Sequence, residues 1–238
     1  MLQNLSIYVI IGFLATTLLT LFLFYFTIKN ADLQEIHNKA NFILIGSIVW
    51  IVLQTILTIN NVYNANLNAL PPKIFVFGVF PTFFLMISLF LTTKGKIFMD
   101  SLPLKNLTYI SVVRIPVEIV LYLLFAEKFI PEIMTFEGQN FDILAGISAL
   151  IVGYFGFKDN IPNKKLLLIW NFISFGLLIN IVITAIFSAP SPFQKFGLEQ
   201  PNVAILNFPI SFLPTFIVPV VMFSHLVAFR KLLKSQNQ

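Results

Sequence analysis

Residues 107–125 read LTYISVVRIPVEIVLYLLF, with the run Arg114-Ile115-Pro116-Val117-Glu118 at their centre. The stretch is long enough to cross a hydrocarbon core of about 30 Å as one helix. An arginine or an acid at that depth costs about 2.5–3.5 kcal/mol by insertion scales unless it is paired or hydrated. Arg114 and Glu118 are four residues apart, so on a helix they share a face and can neutralise each other. Helical rise sets Arg114 about 10 Å and Glu118 about 16 Å beyond Leu107. Pro116, between them, removes one backbone donor and frees the carbonyl of Val112. A kinked helix with charges at the kink suits a cavity wall. A buried pair tethering this helix to its neighbours is the competing reading.

The rest of the chain fits an all-α, polytopic membrane bundle. Of 238 residues, 58% are hydrophobic and 11% charged, against roughly 25% charged in soluble domains. Lipid must therefore be the main solvent. Six further stretches read as spans: 6–28, 41–61, 74–93, 142–157, 166–188 and 203–229. With 107–125 they make a single seven-helix transmembrane domain over residues 1–238. The fifth span is short, and the seventh is broken by Pro209, Pro214 and Pro219.

Loop charge sets direction. One set of loops holds Lys29, Lys39, Lys94, Lys96, Lys105, Lys158, Lys164, Lys165, Arg230, Lys231 and Lys234, and the other only Lys73, Lys128 and Lys195. This asymmetry predicts an N-terminus outside and a C-terminus in the cytoplasm. The inner loops also carry Asp32, Glu35, Asp100 and Asp159. The acids Glu127, Glu132, Glu137 and Asp142 cluster outside, before the fifth span.

Spans 1–3 and 5–7 run in the same directions with span 4 as connector, an order that permits a three-plus-one-plus-three parallel repeat. Gln54 and Thr58 on span 2 match Asn180 and Thr184 on span 6. Phe80-Pro81-Thr82-Phe83 on span 3 matches Leu213-Pro214-Thr215-Phe216 on span 7.

The candidate ligand-binding residues are Arg114 and Glu118, with Gln54, Asn171, Asn180 and Asn207 as polar partners at depth. Glu137, Asp142 and Gln194 join them from the outer loops. Asn140 or Asp142 also suits an N-cap, where a side-chain oxygen satisfies free amides. Gly146, Ala149, Gly153 and Gly156 form one small-residue face that lets another helix approach closely. His225 reads as a lone polar residue near the inner interface.

No residue pattern calls for a cofactor or a metal. Glu137, Asn140 and Asp142 fit no calcium loop, and without cysteine there is no thiol chemistry. The basic residues lie in short loops rather than on a stripe, so nucleic acid is not an expected partner. The expected partners are the bilayer and either a small molecule or another protein. Three functions compete. A small-molecule carrier or binding protein with a polar site at Arg114 and Glu118, open to the outer side, draws on the buried charges and broken helices. A sensor or assembly subunit acting through a partner draws on the short inner loops. An intramembrane enzyme on a lipid would use Glu118 as a base, but no metal motif, nucleophile–histidine pair or phosphate loop accompanies it, so no catalytic residue is assigned.

The runs Arg114-Ile115-Pro116-Val117-Glu118, Thr135-Phe136-Glu137-Gly138-Gln139-Asn140-Phe141-Asp142 and Gln200-Pro201-Asn202-Val203-Ala204 resemble those of an uncharacterised family of bacterial seven-helix membrane proteins. The resemblance implies a bacterial inner membrane and no particular activity. Microbial rhodopsins are similar in topology alone, because a retinal Schiff base needs a lysine inside the last helix and the seventh span has none before Lys231.

Overall fold

The computed structural model describes residues 5–158 and 161–234, and Asp159 lies outside them. The helices are α1 (Ile7–Lys29), α2 (Gln34–Asn38), α3 (Ala40–Ile59), α4 (Phe75–Leu91), α5 (Thr93–Ser101), α6 (Leu104–Ala126), α7 (Asp142–Phe155), α8 (Lys164–Ser188) and α9 (Leu213–Lys234). Among the described residues no strand forms. Five of these helices, α1, α3, α6, α8 and α9, are long and apolar enough to cross a membrane. The pair α4 and α5 passes the same test together but is bent by 94° at Thr92, and α7 is apolar but short. Thr92 is extended, and its hydroxyl accepts from the Gly95 amide at 3.2 Å, which starts α5 in a new direction.

Long-range bonds define two ends of the bundle. At one, the Ser6 amide donates to Glu127 (3.1 Å) and the Asn64 side-chain amide donates to the Leu206 carbonyl (3.2 Å). At the other, the Asp32 amide donates to Ser101, and Arg230 grips Asp100 through two 2.9 Å bonds. We call these the N-end and the C-end, after where α1 begins and α9 finishes. Burial singles out α9 as the axis: 67% of its apolar stretch is buried, against 11% for α3. Around α9 stand α4, α6 and α8; α1 packs on α6, and α7 is wedged between α6 and α8.

The last helix starts later and runs further than the 203–229 expectation. Residues 203–212 form a short 3-10 turn, Ala204–Leu206, and bends. Pro209 supplies no amide there, and Pro214 falls in the first turn of α9, where a missing N–H costs nothing. Beyond 229 the helix continues through Arg230, Lys231 and Lys234, cations at the negative helix end.

Two π turns interrupt the helices, Phe75–Val79 in α4 and Leu213–Ile217 in α9, and they pack against each other. Prolines flank both at one offset: Pro71 and Pro81 around the first, Pro209 and Pro219 around the second. By position relative to the π turns Pro81 lies as Pro219 does, whereas the short sequence match sets it against Pro214. A π turn leaves backbone carbonyls without their usual donors, and α3 supplies replacements. Gln54 Nε2 donates to Phe77 O at 3.1 Å and Trp50 Nε1 to Thr215 O at 2.9 Å, so equivalent positions of the two turns are capped alike. Gly78 is required at their contact, because a Cβ there would collide with the Thr215 methyl.

Candidate functional site

Arg114 and Glu118 are both buried, at 2% and 0% exposure, yet they do not pair with each other. A 3-10 stretch, Ser111–Val113, precedes Arg114 where Pro116 cannot bond back to Val112. The start of α7 then reaches Arg114. Arg114 Nε donates to Asp142 Oδ2 at 2.6 Å and Nη2 to Asp142 Oδ1, a bidentate pair, with a further 3.0 Å bond from Nη2 to the Ser174 carbonyl. A planar guanidinium favours such a fork over a single carboxylate one turn along its own helix. Close approach of α7 makes it reachable. A Cβ on Gly146 would lie 2.8 Å from Ile115 Cγ1 and 3.3 Å from Arg114 Cβ, so the small-residue face does pack against α6.

Behind this pair lies a residue the sequence reading undervalued. His225 is buried, at 1% exposure, with Nε2 3.4 Å from both Arg114 Nη1 and Ser111 Oγ. Asn171 donates to the His225 carbonyl at 3.1 Å, so its Oδ1 is the acceptor 2.6 Å from His225 Nδ1. That fixes the tautomer: Nδ1 holds the proton and Nε2 turns a lone pair toward the guanidinium. The clue was a polar side chain inside an apolar span. The helix runs five residues beyond the expected end at 229, so His225 lies about 14 Å from its last residue, Lys234.

Glu118 has a different environment. Asn140 Nδ2 donates to both carboxylate oxygens, at 2.6 and 2.7 Å, and to the Met134 carbonyl at 3.0 Å. Asn140 Oδ1 accepts from the Asp142 amide at 3.1 Å, so Asn140 does satisfy an amide at the start of α7 while linking the two acids. On its other side Glu118 lines a cavity of about 350 Å³ at the N-end half of the bundle. Its walls come from α4 (Phe75, Val79, Phe80, Phe83), α6 (Val117, Leu121), α8 (Ile181, Val182, Ala185, Ile186), α9 (Leu213, Pro214, Val218, Met222) and the segments before α4, before α7 and between α8 and α9. The named helix residues are all apolar. Ser191 and Glu118 are the polar side chains among the lining residues.

The other candidates stand apart. Gln54 caps α4 and accepts from the Tyr63 hydroxyl, whose ionisation burial pushes up. Asn180 is exposed and donates to the Gln139 carbonyl at 3.0 Å. Asn207 bonds Asn64 (3.2 Å) and the Val203 carbonyl (2.9 Å). Glu137 is exposed, and Gln194 braces its own loop at Phe196 and Gly197. None of these five takes part in the Arg114 or Glu118 bonding, because each is committed to a local backbone or neighbour, or faces outward. The loop before α9 does pack over the N-end, through Gln200 Nε2 to the Phe125 carbonyl (3.2 Å) and the Asn202 amide to Ser188 (2.8 Å). Among the described residues no group of three His, Asp or Glu comes together as a metal site.

A family described as a domain of unknown function (DUF8737) matches residues 71–233. The chain belongs to that family. The DUF8737 match spans α4 to α9 but for Lys234, and with them Arg114, Glu118, Asn140, Asp142, His225 and all of the cavity wall. It leaves α1 to α3 outside, and so the side chains of Trp50 and Gln54 that cap the π turns. No curated protein matches the chain, and no solved structure does.

Proposed function

We propose that the protein is a membrane-embedded carrier that binds a small, largely apolar molecule in the cavity beside Glu118. The observation that carries this reading is the cavity itself: apolar walls from four helices, with Glu118 and Ser191 the polar residues among its lining. Binding sites for small molecules have this make-up, a few placed polar groups in an apolar cleft. Seven segments cross in this reading, α1, α3, α4, α6, α7, α8 and α9, with α4 and α7 the short ones. The basic asymmetry favours an outside N-end, so the cavity is nearer the outer surface, in a bacterial inner membrane as the sequence resemblance implies. The paired π turns support a repeat of α1, α3, α4 in α7, α8, α9, with α6 between. Helices with broken ladders at a repeat interface are where carriers place substrate.

The test is a cavity-filling variant. Wild type and Ala185→Trp are purified in nanodiscs and examined by native mass spectrometry. Wild type should carry a bound small molecule that the variant lacks. Identical spectra from both, together with identical melting curves, overturn the reading.

A further inference from the structure

The lining residues give the cavity a shape. On α4 they run from Phe75 to Phe83, on α9 from Leu213 to Met222, and along α8 from Ile181 to Ala189 just past its end. All three runs span the same depth, from the N-end inward by about 12–14 Å. Spread over that length, a volume of about 350 Å³ leaves a mean cross-section of about 30 Å². The space is a slot lying along the helices, wide enough for one extended hydrocarbon chain and too narrow for two side by side.

Its two ends differ. At the inner end Val117, Glu118, Ile181 and Met222 are buried, and both carboxyl oxygens of Glu118 accept from Asn140. At the N-end Pro72, Pro190 and Ser191 are partly exposed, and no charged residue lines that end. The Ser191 hydroxyl accepts from the Phe193 amide at 3.2 Å, and its own proton has no acceptor among the described residues. Ser188, one residue before the lining Ala189, and Asn202, whose amide donates to the Ser188 carbonyl at 2.8 Å, are fully buried. Ser188 Oγ, Asn202 Nδ2 and Asn202 Oδ1 have no partner among the described residues. Buried polar groups without a partner call for one from outside the chain, and these gather at one end of the slot.

Resting on the reading of the cavity as a binding site, we infer that its ligand is a single-chain amphiphile. One alkyl chain lies in the slot with its tip toward Met222, and an uncharged head, a hydroxyl or a carbonyl, sits at Ser191. At about 30 Å³ for each water-sized group, the slot takes a chain of about a dozen carbons.

Two photoactivatable dodecanols test this on the full chain in phosphatidylcholine nanodiscs, one with a diazirine beside the hydroxyl and one with it near the far end of the chain. Peptide mass spectrometry should find the head probe on the segment around Ser191 and the tail probe on that around Met222. Compared at equal concentration in the bilayer, unmodified dodecanol should displace both at least about tenfold more effectively than cyclododecanol, because a ring of the same carbon count overpacks a narrow slot. Ala185→Trp should abolish both labels. Equal displacement by the two alcohols, or labels at exchanged ends, overturns the inference and leaves the cavity reading standing. Unchanged labelling of Ala185→Trp, or absence of displaceable labelling by either probe, overturns both.

Discussion

One helical turn of α6 carries two charges that have opposite surroundings. Arg114 is closed in: a bidentate acid, a carbonyl and an imidazole surround it, all from neighbouring helices. Glu118 is as deeply buried, with the Asn140 amide on its carboxyl and a largely apolar cavity next to it. Side chains of similar burial thus serve different ends. The first holds α6, α7, α8 and α9 together; the second is tied through Asn140 to the start of α7. Burial alone does not distinguish a tether from a site; the count of compensating partners does.

Substitutions can break this contrast. Arg114→Leu should have the largest effect, about 3–5 kcal/mol of lost stability, because Asp142 is left buried and uncompensated. Removing both charges in Arg114→Leu/Asp142→Leu should recover part of that loss, and melting curves of the single and double variants measure the coupling. A double variant worse than the sum of its parts would deny Arg114 its tethering role. Asn171→Leu comes next, at about 1–3 kcal/mol, since the His225 Nδ1 proton loses its acceptor. Glu118→Gln should cost less than about 1 kcal/mol, because its amide oxygen still accepts from Asn140. Should it melt as early as Arg114→Leu, the two charges are alike and the contrast fails.

The smallest effect belongs to Glu127, at the N-end beyond α6. Burial raises its carboxyl, but bonds from the Ser6 hydroxyl and amide and the Tyr8 hydroxyl outweigh that and hold it below its ordinary 4.5. A depressed acid contributes stability above its unfolded value and loses it as pH falls through the folded one. The melting difference between wild type and Glu127→Gln should therefore be steady near neutrality and vanish below about pH 4.5. A difference that grows in acid contradicts the assignment.

Much of this was legible in the sequence. Apolar length located the helices, and the cost of charge in lipid singled out Arg114 and Glu118. Their partners were not legible, because spacing along one helix is written in the chain and contact between helices is not. Asp142 looked like a helix-capping acid, a local role; only the close packing allowed by Gly146 sends it to Arg114. Asn180 and Gln54 looked equivalent by spacing, yet one faces outward and the other caps a π turn that no local pattern announced. His225 was hidden by a helix end set five residues short, where the basic residues after 229 looked like a loop rather than a final turn.

The corner at Thr92 gives α4 the mechanics of a hinged rod. Its C-end is anchored, since α5 turns through 94° and Asp100 is gripped by Arg230 of α9, while its N-end is held by one bond from Gln54 of α3 and by the contact between the two π turns. A rod pivoting at one end moves most at the other: over about 25 Å of helix, a swing of about 10° carries Phe75 by about 4 Å and hardly stirs Leu91. The cavity wall is thus the part of α4 that any pivot at Thr92 would displace most, and the Gln54 bond to Phe77 is what such a pivot would have to break.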